Sequence, residues 1–483
     1  MRHSTFLILS KIFNYAAVFF TGVVLTRSLS KAEYGTFSQF ILLSTALSLI
    51  LGTWLAKSIY YFVPTSSQKK EIVLQTNLVL FGVGLMVGLL VWLLRYQIAH
   101  WFHNESLASL VIYISLYMLL LSLYKLADPF FISVDKAHIL ALTNVIFSIV
   151  YLVVLTYVLI KGVSLSQLMT AVILLYLGLI AFVLANMFKL SSTGHGILNM
   201  AFLQQQFKYA APLFLASVVI VLGYQVDKFI IATIYSTTDF AVYYRGAIEL
   251  PLIEIITFTI YNMLLPRFVK LYKADQKSAF LRVWHEAIKK TTILIFPLFV
   301  IFLFIAQRFI TMLYTERYAG STIVFRIYLL VILIQIVSYD TILQATGKTR
   351  GIFYASTLKL TSSLAASLVL IRIVGFAGAA IGMVLGHVFA TLYYLMRIRR
   401  IFRVSLAQVF PWNHILQVLM LAMCLGALTY SINFLGLFPS KLVFMGVYGS
   451  VFSILYTVLL FKLKFLRLQD LKFLKLSYPS RTE

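Results

Sequence analysis

The sequence predicts an all-α integral membrane protein of about fourteen transmembrane helices, and three observations predict it. First, 61% of the 483 residues are hydrophobic and 11% are charged, with a mean hydropathy of +0.95. A soluble domain of this length needs a charged coat, and too little charge is present to supply one, so lipid must solvate much of the surface. Second, apolar stretches recur along the whole chain, each near the roughly 20 residues that span a bilayer core. Third, these stretches do not alternate and run past the roughly 9–11 residues of a barrel strand. Only helices and closed barrels satisfy their backbone in lipid, so the stretches read as helices.

Taken in order, the predicted spans are 5–26, 36–62, 76–95, 106–126, 138–160, 165–188, 209–234, 242–264, 291–314, 321–342, 352–373, 377–397, 413–433 and 441–461. The first begins after Met1, Arg2 and His3, as a signal peptide does, but Lys11 interrupts the run and no small-residue cleavage site follows Val24. It is read as a retained helix. Lys and Arg set the orientation. Of the 40, 26 are counted with the even-numbered gaps and the two tails and eight with the odd-numbered gaps, residues toward a span end being counted with the adjoining gap. Both termini are therefore expected on the cytoplasmic side of the inner membrane.

Two stretches are amphipathic rather than spanning. Arg267 to Lys290 mixes Phe268, Phe280 and Trp284 with seven basic residues, and 462–483 forms a basic tail containing Phe465, Leu466 and Phe473. Both are expected to lie on the anionic inner leaflet. The net charge of +25 invites a nucleic-acid reading, but the charges sit between apolar segments instead of pooling in one soluble domain, so no nucleic-acid partner is expected. Cys424 is the single cysteine, which excludes a disulfide framework and a thiolate metal site.

The chain also echoes itself. Ser30, Glu33, Tyr34 and Phe37 before span two match Ser236, Asp239, Phe240 and Tyr243 before span eight, at an offset of 206 residues. Val134-Asp135-Lys136 before span five matches Thr346-Gly347-Lys348 before span eleven, at an offset of 212. A Ser with an acidic residue three later suits a helix N-cap with its capping box. Two six-helix halves starting on the same side are a parallel repeat, the arrangement of transporters that rock about a midplane site. The expected organisation is an N-lobe at 1–205, a C-lobe at 206–405, two further helices at 406–461 and the tail at 462–483.

At these residues the chain resembles a known family. Arg27, Leu29, Tyr34, Gly35 and Phe37 fall as in the R-x-L-x-x-x-x-Y-G-x-F stretch of bacterial polysaccharide flippases, which move O-antigen or capsule repeat units. Asp227 and Ile231, followed by Ala241 and Tyr243, resemble their D-x-x-x-I and G-x-Y stretch, with Ala241 in place of the usual Gly. Ala345, Gly347 and Lys348 resemble their A-x-G-K turn, and Gly375, Gly378, Ala379 and Ala380 their G-x-x-G-A-A turn. The resemblance implies the multidrug/oligosaccharidyl-lipid/polysaccharide exporter fold. It also implies movement of a polyprenyl-diphosphate-linked oligosaccharide from the inner to the outer leaflet. The partners it implies are that lipid-linked substrate, membrane lipids, a coupling H⁺ or Na⁺, and polymerase and export enzymes of the same pathway.

The charges inside the spans agree with an anionic cargo. Besides those counted with the gaps, six are basic: Lys11, Lys57, Lys228, Arg245, Arg326 and Lys359. A charge in hydrocarbon costs at least about 2.5–3.5 kcal/mol, so one that persists faces a cavity or a partner. A diphosphate needs such charge-assisted donors. Asn14 lies one turn from Lys11, on the same face, and could bind sugar. Lys57 could instead snorkel to the membrane edge, and Arg245 could neutralise Glu249 four residues on. The acids within spans are Asp227, Glu249, Glu254 and Asp340, as ion-coupling groups or as partners of the cations. Glu254 has no basic residue three or four positions away and is the first candidate for coupling.

No catalytic residue, metal or cofactor is predicted. Gly347-Lys348-Thr349 lacks the first Gly of a P-loop, since Ile342 stands there. His100 and His103 are too few to hold a metal. Asn104-Glu105-Ser106 is a glycosylation pattern of a kind expected by chance. The alternatives are a drug exporter of the same superfamily, disfavoured by the basic interior, and an integral-membrane glycan polymerase or glycosyltransferase, disfavoured by short outer gaps.

Overall fold

The computed structural model describes the backbone of residues 2–66, 68–162, 164–191, 199–435 and 440–466. Within those ranges the side chains of residues 2–9, 11, 65, 212, 251, 252, 254, 258, 262, 434 and 435 stand outside the described set. The predicted tail is outside it beyond residue 466.

The described residues form helices and no strand. The first eight are α1 (Arg2–Ser28), α2 (Lys31–Thr65), α3 (Lys69–Leu93), α4 (Arg95–Trp101), α5 (Ser106–Tyr124), α6 (Ala127–Ser133), α7 (Ala137–Ile160) and α8 (Leu165–Leu190). Then come α9 (Met200–Ile234), α10 (Thr237–Gly246), α11 (Pro251–Lys273), α12 (Lys277–Tyr314), α13 (Ser321–Ile334) and α14 (Tyr339–Ala345). The chain continues through α15 (Arg350–Val374), α16 (Ala377–Phe402), α17 (Leu406–Val409), α18 (Trp412–Tyr430) and α19 (Lys441–Lys462).

Among the described residues, twelve helical segments are long and apolar enough to cross a bilayer. The two other predicted spans have separate explanations. The first corresponds to α1, whose described apolar part is the shorter Ile12–Ser28. The eighth, expected as one helix over 242–264, is broken. Gly246 ends α10, residues 247–250 are irregular, and α11 restarts at Pro251. Proline fits the first position of a helix and disfavours helical geometry in the residue before it, so Pro251 explains the restart. Because of the break, Arg245 and Glu249 do not share a helix, so the spacing of four residues does not put them on one helix face.

The amphipathic stretch Arg267 to Lys290 is likewise not a helix lying on the membrane. It is the end of α11 and the start of α12, joined by a turn in which Asp275 takes φ 52°. Phe268, Phe280 and Trp284 are fully buried, and Phe268 stacks on Phe280 at 4.6 Å. The apolar face meets protein, and only the basic face is left outside.

Both sequence echoes correspond to local structure. Ser30 caps α2 in a full capping box with Glu33, and the Ser236 hydroxyl accepts from the Asp239 N–H and donates to its carboxylate at 2.6 Å. In the second echo, Asp135 and Gly347 occupy equivalent places and both adopt left-handed backbone, with φ 57° and 69°. Each of these turns follows a seven-residue helix, α6 or α14. Thus a short helix, a left-handed turn and a long helix recur at the offset read from sequence.

The chain divides into two compact units. One comprises Met1–Leu252, Ile323–Tyr328 and Lys348–Tyr394, and the other Ile253–Thr322, Leu329–Gly347 and Leu395–Glu483. In the first unit α2 is central and packs on α5, α9 and α10, while α1 packs on α7 and α9 on α15. Buried polar groups tie these helices together. Asn104 donates to Thr36 (2.8 Å) and Gln39 (2.7 Å), and Gln206 donates to Ser58 and Thr76, both at 2.8 Å. Asn104 is thus a buried clamp on α2, which accounts for its place in the chance glycosylation pattern. Small residues bring α15 and α16 together: a β-carbon at Gly382 would come 2.2 Å from the Ser367 hydroxyl. Close backbone approach of this kind is a usual route to helix packing in lipid, where hydrophobicity alone gives no drive. In the second unit α12 packs on α18 and α19, and Ile305, Phe444 and Tyr448 form a core cluster.

Candidate functional site

Regular helical spacing on six helices of the first unit opens a cavity of about 360 Å³. On α1 its wall is Asn14, Ala17, Val18, Thr21, Gly22 and Leu25, and on α2 it runs from Tyr34 through Phe37, Ser38, Ile41 and Thr45 to Ser48 and Leu49. Steps of three and four residues keep each set on one helix face. Tyr117, Leu121 and Lys125 continue the pattern at four-residue intervals along α5 into its C-cap. Phe147, Ser148 and Tyr151 come from α7, Tyr176 from α8, and Tyr244 with Arg245 from α10. The volume lies at the lower end of the roughly 300–1,000 Å³ common for ligand pockets.

The electrostatics are one-sided. Among the described residues lining the cavity, Arg245 and Lys125 are the charged ones, and neither Asp nor Glu is present. The Arg245 guanidinium carbon lies 4.6 Å from the centre of the Tyr34 ring, a cation–π distance. A glycine makes room for it: a β-carbon at Gly22 would come 2.5 Å from both terminal guanidinium nitrogens. Lys125 is accommodated in the same way, because a β-carbon at Gly52 would stand 3.0 Å from its side chain. Residues 34 and 52 are separated by about 27 Å of helix rise, so the two cations serve opposite ends of the cavity.

Between them the wall is aromatic and hydroxylated. Tyr176 packs edge-on against Tyr117 and Phe147, both at 4.9 Å, and lies 6.1 Å from Tyr151. The Asn14 amide donates to the Ser148 hydroxyl at 3.1 Å, joining α1 to α7. Rings with hydroxyl edges match the alternation of C–H faces and hydroxyls on a sugar, and a planar guanidinium matches phosphate oxygens two at a time.

Of the residues singled out in sequence, Arg245 and Asn14 meet in this cavity. The Lys11 and Glu254 side chains lie outside the described residues. Lys57 is exposed on α2, Lys228 half-buried on α9, and Arg326 exposed on α13. Lys359 is buried on α15, its ammonium 3.3 Å from the centre of the Tyr224 ring, and it does not line the cavity. Of the acids, Glu249 is exposed in the break before α11, and Asp340 is half-buried on α14. Asp227 on α9 is fully buried. One of its oxygens accepts hydroxyl bonds from Tyr243 (2.5 Å) and Tyr328, while the other has no hydrogen-bond partner among the described residues.

Sequence reading missed Lys125, which counted as a loop charge, and the tyrosine wall. The 117, 121, 125 spacing would have placed Lys125 on the face of Tyr117, whereas the convergence of Tyr151 and Tyr176 is purely tertiary.

The comparisons with known proteins fit this geometry. Residues 24–323 match the family model for polysaccharide biosynthesis proteins. No curated protein matches the chain. Among solved structures, the chain is similar to the lipid II flippase MurJ in an inward closed conformation, with a TM-score of 0.73 at 16% identity, covering 94% of this chain and 99% of that one. It is similar to an inward-facing multidrug resistance MATE family transporter of the MOP superfamily, with a TM-score of 0.64 at 14% identity over 81% and 96% of the two chains. It also resembles a MOP superfamily transporter from Pyrococcus furiosus described as having a binding pocket of reversed polarity, with a TM-score of 0.57 at 13% identity over 84% and 96%. At these identities the likeness is one of fold. The family match covers well over half of the chain, and the protein is a multi-pass membrane member of the polysaccharide biosynthesis protein family with the fold of MOP superfamily transporters.

Proposed function

We propose that this protein is a flippase that carries a polyprenyl-diphosphate-linked oligosaccharide from the inner to the outer leaflet of the cytoplasmic membrane by alternating access. The observation that carries the reading is the cavity whose described lining holds no acid, with Arg245 held between Tyr34 and Gly22 at one end and Lys125 at the other. In a site of lowered dielectric, a lining whose described charges are all positive favours an anionic cargo. Arg245 offers the diphosphate a bidentate fork, and Lys125 offers a point charge. Their spacing along α2 makes them successive contacts for one diphosphate. The tyrosines between them take the sugars.

In this reading α1 and the α10–α11 pair complete fourteen crossings, and both termini face the cytoplasm, as the Lys and Arg distribution favours. The organisation into an N-lobe at 1–205 and a C-lobe at 206–405 belongs to the same proposal. Energy enters through H⁺ or Na⁺, and Asp227 is the coupling group. A buried carboxylate with one oxygen held by two tyrosines and the other unpartnered is well placed to gain and lose a cation. The protein makes and breaks no covalent bond in its cargo.

A drug exporter of the same fold is the second reading. It accepts cationic compounds, and a cavity holding Arg245 and Lys125 without a carboxylate repels them. The test is transport in proteoliposomes: the lipid-linked oligosaccharide crosses with the parent protein, and Arg245→Gln slows it without loss of fold. Equal rates in the two proteins would overturn the assignment of the cavity.

A further inference from the structure

A second site lies in the other unit, at the membrane edge of the α11–α12 hairpin. There the facing stripes of the two helices leave a pocket of about 310 Å³. Arg267 comes from α11, and Arg282 and Lys290 come from α12. Leu264 and Val283 supply apolar wall, and Glu286 is the one acid. Glu286 is engaged by Lys289 on its own helix, at 2.8 Å. The pocket therefore carries a surplus of two positive charges, with its carboxylate turned to a neighbour outside it.

The hairpin that builds it is rigid. Phe280, Trp284 and Ile288 on the opposite face of α12 are fully buried. The Trp284 indole donates to the Val409 carbonyl at 3.2 Å, which ties α12 to α17. Arg282, Glu286 and Lys290 follow at four-residue steps and cannot turn inward without unpacking that core.

Depth identifies what the pocket meets. The apolar run of α12 begins at residue 291, and that of α11 ends near residue 264. Counting 1.5 Å per residue, Lys290 sits at the hydrocarbon edge, Glu286 about 6 Å beyond it and Arg282 about 12 Å beyond it. Arg267 stands about 4–5 Å beyond the edge on the partner helix. A headgroup layer is roughly 5–8 Å thick on each side of a bilayer. Lys290 and Arg267 thus bracket the phosphate plane of one leaflet, Leu264 lies at the hydrocarbon edge, and Arg282 joins the pocket from the aqueous side.

We infer that this pocket binds the headgroup of an anionic phospholipid, its phosphate held by Arg267, Arg282 and Lys290. Surplus positive charge selects an acidic headgroup over a zwitterionic one, whose ammonium would meet the same cations. The site does not depend on what the protein transports. It requires only that the helices span a bilayer.

Native mass spectrometry of the delipidated full-length protein tests it, with phosphatidylglycerol and phosphatidylethanolamine as probes. The expected result is one retained phosphatidylglycerol per protein, at least about tenfold tighter than phosphatidylethanolamine. Arg267→Gln/Arg282→Gln should abolish that preference, and Glu286→Gln should strengthen binding. Both arginines are exposed, so the variants should melt with the parent protein. Unchanged lipid retention in the double variant overturns the site. Displacement of the lipid by millimolar inorganic phosphate also overturns it, because the pocket would then be a free-anion site. The readout needs no transport, so it stands or falls separately from the flippase reading.

Discussion

Gly35 on α2 abuts the backbone of Thr237 at the start of α10: a β-carbon on Gly35 would come 2.1 Å from the Thr237 carbonyl oxygen. These residues lie in the two halves of the sequence echo, so the matching N-caps at Ser30 and Ser236 belong to helices that pack on each other. Gly35→Val should force the helices apart. Overpacking of this kind costs about 1–3 kcal/mol, and thermal unfolding should show a lower Tm. An unchanged Tm would mean that the helices do not meet at Gly35.

Gly22 gives a test of the cavity that leaves its charge alone. Gly22→Leu displaces the Arg245 guanidinium from Tyr34 but keeps both cations. Charge-assisted hydrogen bonds are worth about 1.5–3 kcal/mol, so transport of the lipid-linked glycan should fall roughly ten- to hundredfold. Arg245→Lys should fall nearly as far, because an ammonium lacks the planar fork. Full activity in both variants would remove Arg245 from the site.

Asp227→Asn keeps the shape of the buried group and removes its charge. Cargo binding should survive, and the dependence of transport on an imposed H⁺ or Na⁺ gradient should disappear. Transport in sealed vesicles with and without the gradient reads this directly. A gradient response equal to that of the parent protein would exclude Asp227 as the coupling group.

Tyr243→Phe acts on stability through the same carboxylate. It removes one of the two hydroxyls that Asp227 accepts. Leaving a buried acceptor short of a donor costs about 1–3 kcal/mol, so the Tm should drop. Tyr244→Phe, one residue on, removes a hydroxyl that no hydrogen bond to Asp227 uses and serves as the control.

Much of this was legible in the chain. The spans follow from hydropathy because each is a local property of about twenty residues. The echoes were legible because an N-cap serine and a left-handed turn are local chemistry, and Ser30, Ser236 and Gly347 took the roles their types suggested. Arg245 was marked by its charge in an apolar run. Other features needed the fold. The apolar run over 242–264 hid the break before Pro251, since hydropathy does not sense a lost backbone hydrogen bond. Periodicity in Arg267 to Lys290 revealed an apolar face, but not that Phe268 and Trp284 spend it on protein instead of lipid. Lys125 shares a helix face with Tyr117 and Leu121 by spacing alone, but that this face lines the cavity needed the fold.

The most direct measurement is the movement of a polyprenyl-diphosphate oligosaccharide across proteoliposomes that contain the purified protein or its Arg245→Gln variant. The account predicts movement with the parent protein and at least a tenfold loss in the variant, with an unchanged melting curve. Export of a cationic dye, with no movement of the lipid-linked glycan, would contradict it.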